Sequence, residues 1–276
     1  MAEINVRESL KRDVPWVLGI AIFGYATYLA MIFGFGVDSH AYWQAIRGEY
    51  YSNAPGTIDA FLYSPAFAQL LWPLAQLPWP VFNMLWMLAA TASLTYLLRP
   101  LGWRLSVPAL LACTPEIFSG NVFWIFAMVV AFGLRFPALW AFVFLTKITP
   151  AIGPIWFAMR REWTNVSISA VATVVVVGTS YAIDPEAWFA WIEFLRTHLS
   201  STKGQVGGLS LPPVVRIPLA VALILWGALR TKYWTIPTAM VLATPVFGIA
   251  SLVVFAGLPR LAVGKASSKS VENDGP

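Results

Sequence analysis

The chain has 276 residues, of which 58% are hydrophobic and 11% charged, with a mean hydropathy of +0.69. Soluble domains carry roughly a quarter charged residues, so a water-soluble globule is excluded and lipid must be part of the solvent. The formal charge of +5 comes from cations scattered between apolar runs, which excludes the clustered basic surface of a nucleic-acid binder and matches the positive flanks of membrane helices.

Residues 1–13 form a polar N-terminal tail carrying Arg7, Lys11 and Arg12, expected on the cytoplasmic side. The apolar runs 14–36, 61–77, 80–98, 104–118, 120–134, 136–159, 165–183, 213–229 and 234–257 read as about nine transmembrane helices. The fold class is therefore an all-α polytopic membrane protein. The first run is longer than the roughly 7–15 residues of a signal-peptide core and lacks a small-x-small cleavage site, so it reads as an uncleaved first helix. Alternate counting of spans places Arg160-Arg161 and Arg230/Lys232 inside with the N-terminal cations, and places Arg99 and Arg104 outside.

Two long loops then face outward, 37–60 and 184–212, and long loops on a rigid scaffold commonly carry function. The division is a transmembrane module over 14–212, a C-terminal hairpin over 213–264 and a disordered tail over 265–276. The second loop opens with Asp184-Pro185-Glu186, a helix-starting combination of cap, first-turn proline and acid. Trp188, Trp191, Ile192, Leu195 and Leu199 then recur at helical spacing, predicting an amphipathic interfacial helix with tryptophans at headgroup depth. Its other face carries Glu193, Arg196 and His198, and a glycine-containing segment with Lys203 follows.

Few residues in such a chain can carry chemistry. Asp38, in Val37-Asp38-Ser39-His40-Ala41-Tyr42-Trp43, reads either as the N-cap of a short helix ending at Gly48 or as a general base at the membrane surface, and the two are compatible. Tyr42, four residues on, shares its helical face. His40 and Tyr42, with Asp59 and Tyr63 at the other end of the loop, supply the acceptors and flat rings that sugar recognition uses. Lys147 lies inside a predicted span; a mid-membrane lysine costs about 3 kcal/mol, so it faces a partner, with Glu116 one candidate, or a wet cavity. Arg196, His198 and Lys203 read either as a solvated face or as a cationic clamp for phosphate. Phosphate-binding loops, dinucleotide fingerprints and zinc motifs are missing from the sequence. With two histidines and one cysteine, a transition-metal site is not expected. Cys113 has no possible disulfide partner within the chain and reads as a small buried hydrophobe.

The segments Asp38-Ser39-His40-Ala41-Tyr42-Trp43, Phe61-Leu62-Tyr63-Ser64-Pro65-Ala66-Phe67, Gly120-Asn121, Thr146-Lys147-Ile148-Thr149-Pro150 and Arg160-Arg161-Glu162-Trp163 occur in this order. Together they resemble the polytopic GT-C glycosyltransferases of the family 87 mannosyltransferase type, over about residues 14–200. The resemblance implies a seven-helix module whose first outer loop supplies the catalytic acid, here Asp38. It also implies a polyprenyl-phosphate-linked sugar donor, and a lipid- or glycan-linked acceptor at the outer face of the plasma membrane. The lysine-proline segment and the loop after the seventh helix of such enzymes lie near the donor, which points to Lys147, Arg196 and His198. No cofactor is implied, and a divalent metal stays open. The chain has fewer spans than such enzymes usually carry, which leaves a partner membrane protein open. The competing reading is a lipid-linked-sugar flippase or an accessory subunit of a glycosylation complex; an outward general base speaks against it, because a translocator needs none.

Overall fold

The computed structural model describes residues 6–48, 50–198, 212–244 and 247–261, with side chains from residue 13 onward. Thirteen α-helices follow one another: α1 (Val6–Phe33), α2 (Val37–Ala45), α3 (Pro65–Ala75), α4 (Trp79–Leu98), α5 (Trp103–Ala112), α6 (Thr114–Ser119), α7 (Phe123–Phe132), α8 (Trp140–Thr146), α9 (Gly153–Met159), α10 (Trp163–Ile183), α11 (Pro185–His198), α12 (Pro213–Arg230) and α13 (Thr235–Ala243). Short 3-10 helices occupy Arg99–Leu101, Pro137–Leu139 and Ile249–Gly257, and no strand occurs among the described residues. Helices satisfy their own backbone polar groups, which an open sheet in lipid cannot do.

Four segments are long and apolar enough to cross a membrane: Asp13–Phe33, Trp79–Leu101, Trp163–Ile183 and Pro213–Arg230. Their side chains are largely exposed, with Val17, Tyr28, Leu88, Val174 and Leu229 presenting apolar surface outward, as lipid-facing helices do. The remaining expected spans are short or broken: 61–77 holds α3 and 120–134 holds α7. The run 104–118 divides into α5 and α6 at Cys113, where Pro115 starts a new helix, and the run 136–159 divides between α8 and α9 around Lys147 and Pro150. Proline cannot supply the backbone donor a helix interior needs. Such breaks are tolerated at membrane depth where protein surrounds them. Here Trp140, Trp156, Phe126 and Ile236 are fully buried in the core between the long helices.

The contacts define two ends of the bundle. At one, Trp79 at the start of α4 packs edge-on to His40 of α2 at 4.6 Å, and Trp43 and Arg47 both donate to the Leu77 carbonyl. At the same end Tyr51 packs against Phe194 of α11, and the Trp191 indole donates to the Leu62 carbonyl. The first loop and α11, the described part of the second, therefore adjoin at this end. At the other end Arg260 donates to the Tyr96 carbonyl near the end of α4, and Tyr96 stacks on Phe132 at the end of α7. Arg160, before α10, donates to Ala228 and Thr231 at the end of α12.

This arrangement differs from alternate counting of spans, which puts Arg99 and Arg104 on the same side as the two long loops. α3 has only 11 residues, roughly 17 Å at 1.5 Å per residue, and the turn after it is held to α2. α4 therefore starts at the end that carries the long loops and delivers Arg99 to the opposite, basic end. There it joins Arg104, Arg135, Arg160, Arg230 and Lys232.

Candidate functional site

Two glycines put the site together. Gly36, between α1 and α2, and Gly120, between α6 and α7, have φ of 80° and 73°, a left-handed conformation natural to glycine. Gly36 caps the start of α2, two residues before Asp38, and Gly120 caps the end of α6, directly before Asn121. The turns also lie against each other: the Gly36 amide donates to the Phe118 carbonyl at 2.7 Å. A Cβ on Gly120 would stand 2.4 Å from the Ser39 hydroxyl and 3.3 Å from the Gly36 Cα. Only a bare backbone allows this approach.

Asp38 consequently reaches Asn121. The Asn121 side-chain amide donates to Asp38 Oδ2 at 2.9 Å, and Asn121 Oδ1 accepts from Lys147 Nζ at 3.2 Å and from the Val122 amide at 2.8 Å. A carboxylate, an amide and an ammonium thus form one line across three breaks in the bundle. The sequence reading of Asp38 as an N-cap is corrected. Gly36 occupies the cap position, α2 ends at Ala45 rather than Gly48, and Asp38 stands in the first turn, where the helix dipole favours a carboxylate.

Lys147 reaches the line from the broken end of α8. The Leu145 carbonyl accepts from both the Ser64 amide and the Ser64 hydroxyl, which ties the start of α3 to the Lys147 break. The ammonium lies 3.7 Å from the Phe123 ring centroid and 5.9 Å from that of Tyr63, within cation–π range. Glu116 is fully buried and accepts from the Trp124 amide at the N-terminus of α7 at 3.0 Å. It makes no direct ion pair with Lys147 among the described residues; the Lys147 ammonium bonds Asn121 instead. Glu116 Oε2 and the Trp124 indole nitrogen are buried and have no hydrogen-bond partner among the described residues.

Tyr42 and Tyr63 join hydroxyl to hydroxyl at 3.0 Å beside this line. Burial, then the neighbouring Tyr63 and Asp38, push the Tyr42 phenol well above its ordinary value, so it serves as a neutral hydrogen-bonding group. Of the residues singled out in the sequence, the structure thus brings together Asp38, Tyr42, Tyr63 and Lys147.

The others stand apart. His40 Nδ1 and Asp59 Oδ1 pair with each other at 2.6 Å and close the first loop. Arg196 is exposed on α11, and His198 Nδ1 bonds the Phe194 carbonyl of its own helix. No hydrogen bond or ion pair joins either to the Asp38 line among the described residues. Lys203 and Leu199 lie outside the described residues.

The helix bearing Arg196 and His198 begins as expected, with Asp184 Oδ1 accepting from the Ala187 amide at 3.0 Å. Its tryptophans also pack on protein: Trp188 is 7% exposed, donates to Ser180 and packs with Ala66 and Leu145, with Trp191 half-buried beside it. This helix is a brace between α10 and α3 as well as a surface element. Asn121 is the residue that the reading for chemistry passed over. Its signal was a glycine followed by an amide between two apolar runs.

Among the described residues no cluster of three His, Cys, Asp or Glu side chains is placed to hold a metal ion. The arrangement offers an acceptor of protons, Asp38 Oδ1, which makes no hydrogen bond among the described residues, and a cation within reach of the same space. That combination suits transfer of a group to a hydroxyl with departure of an anion. The model of glycosyltransferase family 87 matches residues 61–268, well over half of the chain. No curated protein and no solved structure matches the chain.

Proposed function

The chain belongs to glycosyltransferase family 87, and on that ground we propose that it transfers a hexose, mannose, from a polyprenyl-phosphate donor to a lipid- or glycan-linked acceptor. The reading is of an inverting, GT-C-type enzyme working at the non-cytoplasmic face of the plasma membrane, with the basic end of the bundle cytoplasmic. The observation that carries it is the line from Asp38 through Asn121 to Lys147.

In this reading Asp38 Oδ1 accepts the proton of the acceptor hydroxyl. The hydroxyl oxygen attacks the anomeric carbon from the face opposite the phosphate. The bond from that carbon to the phosphate oxygen breaks, and its electrons leave with polyprenyl phosphate. Charge developing on that oxygen is met by Lys147, whose ammonium has donors to spare beyond its bond to Asn121. Tyr42 and Tyr63 supply neutral rings and hydroxyls beside the reacting centre. A membrane-soluble donor accounts for a chain with no nucleotide-binding motif.

The test is transfer from synthetic polyprenyl-phosphate mannose by purified protein with a crude membrane-lipid extract as acceptor, wild type beside Asp38→Asn. The isosteric amide cannot accept the proton, so turnover is expected to fall by a factor of about 10² to 10⁴ with thermal stability retained. Near-normal turnover by the variant would remove Asp38 from the mechanism. No transfer by folded wild type would favour a flippase or an accessory subunit instead.

A further inference from the structure

We propose that Asn121 is a positioning residue that keeps the base Asp38 and the cation Lys147 apart, so that each stays free for its own substrate group. The inference rests on the roles proposed for those two residues and adds a third participant to them.

The geometry fixes how the amide is used. An ammonium can only donate and a carboxylate can only accept. The side chain that bridges them must turn its oxygen to Lys147 and its NH₂ to Asp38, as observed at 3.2 and 2.9 Å. The Val122 amide, donating to the same Oδ1 at 2.8 Å, holds that orientation from the backbone. The Trp86 indole donates to the Asn121 carbonyl and steadies the residue from α4. The neighbouring Gly120 allows no side chain of its own between the two turns.

A lysine stem has four flexible carbons, and Lys147 and Asp38 attract each other across the amide. With the amide removed, the ammonium is expected to move onto the carboxylate. A direct pair would make Asp38 a poorer proton acceptor and would occupy the charge intended for the phosphate. A carboxylate in place of the amide would do the reverse, because two carboxylates at hydrogen-bond distance must share a proton. The other titratable groups facing the line are Glu116, from α6, Tyr42, from α2, and Tyr63, just before α3, and they are unchanged in both variants.

The experiment is the pH dependence of kcat/KM with polyprenyl-phosphate mannose for wild type, Asn121→Ala and Asn121→Asp, in full-length protein. The acid limb reports protonation of the base. It is expected to move down by about one pH unit in Asn121→Ala and up by about one unit or more in Asn121→Asp. Loss of folding would lower activity without moving the limbs in opposite directions. Asn121→Asp is isosteric, so it carries the test alone if the alanine variant does not insert. Limbs that stay in place, or that move the same way, overturn the inference while leaving the roles of Asp38 and Lys147 intact if Asp38→Asn is inactive. Turnover by Asp38→Asn, or none by wild type, overturns both together.

Discussion

Lys147 is held by a ring face and one amide oxygen rather than by a carboxylate, an arrangement that leaves its charge unquenched. An ammonium inside a bundle costs enough that it must be compensated, and Asp38 provides that compensation from across the Asn121 amide. Lys147→Gln keeps a side chain able to bond Asn121 and removes the charge. Turnover with polyprenyl-phosphate mannose is expected to fall by about 10² or more, the scale of a lost electrostatic contact to a transition state. Arg196, exposed on α11, is screened by solvent, and Arg196→Ala is expected to change turnover by about threefold at most. Parallel kinetics on the two variants check this, and an equal or larger loss in Arg196→Ala would shift the phosphate site to α11. At this scale charge was what the sequence made legible: an acid at the edge of a span and a lysine inside one stand out against an apolar background. Asn121 did not stand out, because an amide raises no comparable penalty and its role depends on two turns meeting that are far apart in the chain.

Helix breaks, not helix faces, position these groups. Gly36, Gly120 and the Lys147–Pro150 segment each lie at a helix terminus inside the bundle, beside one polar residue. Gly120→Ala combines a strained left-handed φ with a Cβ 2.4 Å from the Ser39 hydroxyl. It is expected to cost about 1–3 kcal/mol of stability and to lower turnover further by separating Asp38 from Asn121. Gly178→Ala, in α10 with nothing within 4 Å of its added Cβ, is expected to leave both unchanged or slightly improved. Thermal unfolding in detergent and turnover on the two variants decide the matter; a Gly120→Ala protein as stable and active as Gly178→Ala would mean the turns need not touch. Hydropathy located nearly every apolar run but not what each run does. A segment buried in protein and a segment buried in lipid are equally apolar, so 61–77 looked like a crossing although it forms the short helix α3. Proline at positions 65, 115 and 150 marked the breaks without saying which of them would converge.

The whole bundle carries its charge asymmetrically. Asp38, Asp59 and Asp184 lie at the end with the two long loops, whereas Arg99, Arg104, Arg160, Arg230 and Lys232 lie at the other. α10, with 21 residues between Arg161 and Asp184, spans roughly 31 Å at 1.5 Å per residue, about the thickness of a hydrocarbon core. If positive residues face the cytoplasm, the Asp38 line opens outward, where a polyprenyl-phosphate sugar flipped to the outer leaflet would meet it. The only native cysteine, Cys113, is buried, so engineered cysteines can be read against a low background. Ile58→Cys, at a position 81% exposed in the first loop, is expected to react with a membrane-impermeant maleimide in intact cells. Lys232→Cys and Arg99→Cys are expected to react only after the membrane is opened. The Arg99 variant is the discriminating one, since counting nine alternating spans puts it with Ile58 and the packed structure puts it with Lys232. Labelling of Arg99→Cys in intact cells would mean that α3 crosses after all, and that the contacts of Trp43 and Arg47 with Leu77 do not hold the start of α4 at the loop end.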